Sequence, residues 1–208
     1  MRLPERTVER LSQYRRSLLI CLSQGQTHIY SHELAELHNL TAVQVRRDMM
    51  FIGYSSFQRK GYDIKELIEV IGNVIDSEEV LKVGVVGVGN MGKAITGYFN
   101  NKRAKLKIVA GFDVDPSKIG KVISGVLCYS FDQLSKIVKE KDISVGIITV
   151  PPEKANEAAK SLVAAEIKGI LNFTTVPLNV SPDVYLEEYD MITSLEKVAY
   201  FVKSQKEK

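Results

Sequence analysis

The stretch LKVGVVGVGNMG, residues 81–92, decides the fold of the larger part of this chain. Its first six residues form a short apolar run ending at a glycine, the pattern of a strand buried on both faces of a parallel sheet. Gly87, Gly89 and Gly92 follow at G-x-G-x-x-G spacing and open a helix that the sequence carries to about residue 99. The first glycine permits a tight turn, the second lets backbone approach a pyrophosphate, and the third lets helix and strand pack closely. A diphosphate then rests on the unpaired N–H groups of the helix N-terminus, with Asn90 and Met91 completing the loop.

Downstream, the apolar runs at 107–113, 144–150 and 169–173 alternate with helical stretches, the signature of βαβ units. Asp113 ends the second run twenty-one residues beyond Gly92, where a carboxylate accepts hydrogen bonds from adenosine ribose hydroxyls. Its charge opposes a 2′-phosphate and Val114 follows it where an arginine would be needed, so NAD(H) is expected over NADP(H). Thr149, Val150 and Pro151, with Asn172, Phe173 and Thr174, fall at the carboxyl ends of strands, the edge at which open α/β sheets bind ligands; packing alone also accounts for Val150 and Phe173. Lys118 joins this candidate set. Asp115-Pro116 reads as an N-cap followed by proline at the first helical position and receives no ligand role.

Upstream, residues 14–76 read as helices with short turns. Ser31 is placed as the N-cap of a helix through His38, Asn39-Leu40 as the break, and Thr41 as the cap of a second helix with Gln44 at capping-box spacing. On that second helix Val45, Met49 and Ile52 form an inward stripe and Gln44, Arg46 and Arg47 face outward, with the chemistry to read base edges and phosphates. The segment 53–61 supplies a wing whose tip carries Arg59 and Lys60. The plainer alternatives are that Gln44 only closes a capping box and that the arginines form a solvated face. The conjunction of these signals on one basic head favours the sharper reading: residues 1–62 hold nine Lys+Arg against five Asp+Glu, and the remainder nineteen against twenty.

The 208-residue chain has no run of eighteen apolar residues, and its first residues are charged where a signal peptide needs an apolar stretch, so a cytoplasmic location is expected. Cys21 and Cys128 are far apart and are expected in the core; the three histidines all lie in the head and are not expected to bind metal. After residue 190, Ile192, Leu195, Val198, Ala199 and Val202 recur at helical spacing, widened by Tyr200 and Phe201. The expected fold class is α/β, with a winged-helix DNA-binding domain over 1–78, a Rossmann-type NAD(H)-binding domain over 79–190 and a C-terminal dimerisation helix over 191–208. An NAD-dependent dehydrogenase with a basic head is the alternative. Against it, no histidine follows Lys82 to act as proton donor, only a short helix follows the sheet where a substrate domain would stand, and no catalytic residue is assigned.

ELAELHNLTAVQVRRD in the head, the GVGNMG loop, FDVDPSKIG, IITVPP, IKGILNFT and VAYFVK near the end, in this order, resemble the Rex family of redox-sensing transcriptional repressors. The resemblance implies a homodimer with a domain-swapped C-terminal helix that represses by binding double-stranded operator DNA and is released by NADH. It also implies a recognition set of Gln44, Arg46 and Arg47, a nicotinamide-side tyrosine at Tyr98, and a switch pair at Arg16 and Asp190, with Asp190 also near the cofactor. From the residues alone, Arg16 could equally contact phosphate and Asp190 cap the helix that follows it.

Overall fold

A computed structural model describes residues 3–55, 60–99 and 105–206. The chain divides into two compact units, residues 1–78 and 79–208.

In the first unit, α1 (Glu5–Ser23) buries Leu11, Tyr14, Leu18 and Cys21, an i, i+3, i+4 stripe that packs on the buried face of α4 (Ile64–Ile75), formed by Ile64, Leu67 and Ile71. Asp63 caps α4 by accepting from the Glu66 N–H at 3.0 Å. Between them lie β1 (His28–Ile29), α2 (Ser31–Glu36), α3 (Ala42–Phe51) and β2 (Tyr62–Asp63), with β1 and β2 antiparallel. The break between α2 and α3 falls at Asn39, in the left-handed region at φ 52°, which asparagine tolerates better than most residues. One helix start differs from expectation. Tyr30, not Ser31, is the cap of α2: Tyr30 is extended and its N–H donates to Glu33 Oε2 at 2.6 Å, so Ser31 is already helical and the helix closes at Glu36. The helices α2 and α3 form the expected helix-turn-helix, and residues 56–59 of the expected wing lie outside the described residues.

The second unit is a seven-stranded sheet in the order β5-β6-β4-β3-β7-β8-β9. The strands are β3 (Leu81–Val86), β4 (Leu106–Asp113), β5 (Val122–Ile123), β6 (Val126–Ser130), β7 (Ile143–Ile148), β8 (Gly169–Asn172) and β9 (Tyr185–Glu188). All neighbours pair in parallel except β5 with β6. Chain order runs outward one way from β3 through β4 to β6, then returns to the other side of β3 as β7. That reversal places the ligand crevice of a Rossmann-type sheet at the carboxyl ends of β3 and β7. The hairpin β5–β6 and the edge strand β9 were not among the four expected strands.

Both sheet faces are covered. Val83, Val85 and Ile147 pack with Ile95 of α5 (Asn90–Phe99), and a larger cluster gathers Phe112 and Ile148 with Leu134, Ile137 and Val138 of α6 (Leu134–Lys141) and Leu162 of α7 (Ala155–Ala164). Leu162 sits directly over Gly146, where an added Cβ would stand 2.7 Å from its Cδ1, so β7 admits the helix by lacking a side chain there. Burying one leucine fully contributes about 1.5–3 kcal/mol. Cys21 and Cys128 are free and buried. The last helix, α8 (Met191–Lys206), differs from the rest: every side chain from Met191 to Lys203 is exposed.

Candidate functional site

The glycine loop between β3 and α5 is held by its own backbone. Gly87 has φ 92°, its N–H donates to Phe112 O at 2.8 Å, and its carbonyl accepts from the Thr149 hydroxyl at 2.7 Å. An added Cβ at Gly92 would lie 2.1 Å from Gly87 O, so α5 can start this close to the loop only without a side chain. At Gly89 the same test meets nothing within 4 Å. The first and third glycines are therefore required by packing within the protein, and the second faces open space. A cleft of about 390 Å³ opens here, lined by Gly87, Gly89, Phe112, Asp113, Val114, Asp115, Lys118, Phe131, Thr149, Val150 and Pro151 among others.

Asp113 is 8% exposed, and its carboxylate is already engaged: Oδ1 accepts from the Asp115 N–H (3.0 Å), and Oδ2 from the Val88 N–H (2.8 Å) and Lys118 Nζ (2.9 Å). Burial alone would raise its pKa, but the Asp115 N–H, Lys118 and the Val88 N–H outweigh it and hold the carboxyl below its ordinary value. The hydrogen bond to Asp113 in turn raises Lys118. A carboxylate has about four acceptor positions. One therefore remains for a ligand, and Asp113 ties the glycine loop to the 113–118 turn as well as facing the cleft. Asp115 departs from expectation: residues 116–120 form a turn, not a helix, and Asp115 Oδ1 accepts from the Ser117 N–H at 2.9 Å while the residue lines the cleft.

Gly87, Gly89, Asp113, Lys118, Thr149, Val150 and Pro151 thus come together, whereas the other expected cofactor residues do not line the cleft. Asn90, Met91 and Gly92 lie in the first turn of α5, and Tyr98 near its far end, exposed and edge-on to Phe99 with centroids 5.4 Å apart. Asn172 is 1% exposed and turned inward, its amide donating to Val176 O (2.9 Å) and its Oδ1 accepting from the Thr174 N–H (3.0 Å) and hydroxyl (2.8 Å). Phe173 packs edge-on to Tyr189. Asp190 caps α8, accepting from the Ile192 N–H (2.8 Å), the Thr193 N–H (3.2 Å) and the Thr193 hydroxyl (2.6 Å). Sequence reasoning missed Phe112, Val114, Asp115, Phe131 and Lys154 as cleft residues.

In the first unit, Thr41 caps α3, its Oγ1 accepting from the Gln44 N–H at 3.2 Å. Gln44 does not return the bond: its amide donates to Asp48 Oδ1 at 3.1 Å, and the residue is half-buried. Arg46 and Arg47 are exposed; Arg46 donates to the Ser31 hydroxyl at 3.1 Å and Arg47 lies 5.8 Å from the Phe51 ring centroid. Lys60 is exposed, Arg59 lies outside the described residues, and Arg16 is exposed on α1. Not every cation of the head is available to a partner, because Arg10 pairs with Asp48 and Arg15 with Asp76, each at 2.6 Å. Asp48 is fully buried, with Tyr14 as a further donor. A carboxylate at i+3 from Val45, on the inward side of an amphipathic helix, was the signal for this network.

Among the described residues no group of three or more His, Cys, Asp or Glu could hold a metal, and no helix is long and apolar enough to cross a membrane. Residues 2–49 match the model of the putative DNA-binding protein N-terminus, and residues 78–176 that of the CoA binding domain. The chain is 32% identical over 207 residues to the redox-sensing transcriptional repressor Rex of Lactobacillus acidophilus, covering 100% of this chain and 98% of that one. It superposes on the crystal structure of RSP in complex with β-NAD⁺ and operator DNA with a TM-score of 0.91, at 29% identity over 99% of this chain and 95% of that one. On RSP in complex with β-NADH the TM-score is 0.87, at 28% identity over 99% and 97% of the two chains. With both units matched along their full length, the chain belongs to the Rex family of redox-sensing transcriptional repressors.

Proposed function

We propose that this chain is a repressor that binds double-stranded operator DNA as a homodimer, senses the NADH/NAD⁺ balance in the cytoplasm, and is released by NADH. The observation that carries the reading is the glycine loop, where two glycines are required by the protein's own packing and Gly89 alone faces open space. That is the cradle a pyrophosphate needs, and the residues present fit a dinucleotide. Gly87, Gly89, Asn90, Met91 and Gly92 would hold the diphosphate, Asp113 and Lys118 the adenosine ribose, and Thr149, Val150 and Pro151 the part beyond it. Asn172, Phe173 and Thr174 would shape the neighbouring strand end. The dinucleotide is a sensed ligand here, and no residue is assigned a catalytic role.

DNA contact falls to Thr41, Gln44, Arg46, Arg47, Arg59 and Lys60, with phosphate neutralisation making affinity strongly salt-dependent. The apolar side chains of α8 that this chain leaves exposed, Leu195, Val198, Tyr200 and Phe201 among them, are the surface a second copy would cover. Tyr98 would report on the nicotinamide, and Arg16 with Asp190 would form the pair that distinguishes two dimer arrangements. The test is a band-shift assay on duplex DNA at fixed salt with added NADH or NAD⁺. Retention without NADH and release with it supports the reading; a mobility indifferent to both dinucleotides, or no retention at all, refutes it.

A further inference from the structure

We infer that Asp48 presets the side-chain amide of Gln44 so that the recognition helix reads an adenine. The inference rests on the DNA-binding role proposed above and adds the base to which one position of α3 responds. Asp48 lies one turn after Gln44 and is 0% exposed. Its Oδ2 accepts from Arg10 Nε (2.6 Å) and the Tyr14 hydroxyl (2.9 Å), and its Oδ1 from Arg10 Nη2 (2.7 Å) and Gln44 Nε2 (3.1 Å). The two-pronged contact from Arg10 fixes the plane of the carboxylate, and both partners of its Oδ2 belong to α1.

A carboxylate paired with a guanidinium has only acceptors to offer. The Gln44 atom facing it must therefore be the amide nitrogen, which settles an oxygen–nitrogen orientation that is otherwise a free choice for a glutamine. With one amide hydrogen given to Asp48, the second N–H and Oε1 are left to offer one donor and one acceptor. Adenine presents the complement in the major groove, the N7 acceptor beside the N6 amino donor. Guanine presents two acceptors, so its O6 would oppose Oε1. A glutamine without Asp48 could turn over and lose that discrimination. Gln44 also sits in the first turn of α3, immediately after the Thr41 cap, where recognition helices contact base edges. Gln44 is thus the residue that reads, and Asp48 a positioning residue behind it.

The experiment is selection by the full-length protein from a library of duplexes with a randomised 20-base-pair core, followed by affinity measurement on single-base-pair variants of the selected sequence. The parent should select an A·T pair whose replacement weakens binding roughly 5- to 150-fold, the span of one good bidentate base contact. Gln44→Ala should lose preference at that pair alone, and Gln44→Glu, with acceptors only, should move it toward cytosine. Asp48→Asn should admit guanine beside adenine at that pair and keep the parent's salt dependence, whereas a merely structural role would weaken all sequences equally. Should Asp48→Asn fail to fold in a thermal melt, Tyr14→Phe and Arg10→Lys, which loosen the same carboxylate, should relax the adenine preference at that pair, and an unrelaxed preference in both overturns the role of Asp48. An unchanged consensus from Gln44→Ala, or loss of a guanine preference in its place, overturns the inference and leaves DNA binding intact. No enrichment by the parent overturns the DNA-binding role together with it.

Discussion

Replacing Gly89 by alanine separates ligand binding from folding. A Cβ at Gly89 meets no atom within 4 Å, and Gly89 is not among the glycines at positive φ, so alanine adopts its backbone without strain. Stability should change by no more than about 0.5 kcal/mol, the usual range for a substitution clear of the core. A pyrophosphate seated on the loop meets the new methyl group instead of backbone N–H. Losing one hydrogen bond to a charged group costs about 1.5–3 kcal/mol, which is roughly a 10- to 150-fold loss of affinity. The control is Gly92→Ala, whose Cβ would stand 2.1 Å from Gly87 O and 3.0 Å from Thr149 Oγ1. That variant must displace the loop and should lose about 1–3 kcal/mol of stability as well as binding. Calorimetric titration with NADH and a thermal melt on both variants give the comparison. If Gly89→Ala binds NADH as the parent does, the pyrophosphate does not lie on this loop.

Three further outcomes are expected. Because its carboxyl is held below the ordinary value, Asp113 contributes stability that is fully present above the ordinary carboxylate range and is lost as pH falls through the depressed value. Asp113→Asn should therefore melt lower at neutral pH and show a flatter decline below about pH 4, and parallel melting curves would contradict it. Arg47→Ala should abolish specific retention of duplex DNA and leave NADH titration unchanged; equal loss of both would show unfolding instead. Deleting everything after Asp190 should convert a dimer to a monomer in sedimentation, and a stable dimer from the truncated chain would remove α8 from the interface.

The glycine loop was legible because the constraints that shape it are local: a strand, a turn and a helix start must share a dozen residues, and only glycine satisfies the contacts at 87 and 92. The cap at Thr41 and the break at Asn39 were legible for the same reason. What escaped depends on distant partners. Asp48 meets Arg10 and Tyr14, 38 and 34 residues away, so no local spacing names its partners. The strand Tyr185–Glu188 is an edge strand with exposed Tyr185, Glu187 and Glu188, and lacks the continuous apolar run of its neighbours. Asp115-Pro116 has the composition of a helix start, yet Gly120 at φ 77° and the bond from its N–H to Cys128 O turn the chain back toward β6. Asn172 and Thr174 stand at the carboxyl edge as expected, but their polar atoms satisfy each other and the 174–176 turn.

If one chain couples dinucleotide and DNA, the coupling is reciprocal: whatever factor NADH imposes on DNA affinity, DNA must impose on NADH affinity. Fluorescence anisotropy on a selected duplex, with and without saturating NADH, gives the first factor, and NADH titration with and without saturating duplex gives the second. Both affinities should fall by the same factor, roughly 5- to 150-fold for a coupling of about 1–3 kcal/mol. NADH binding that leaves DNA affinity unchanged would contradict it.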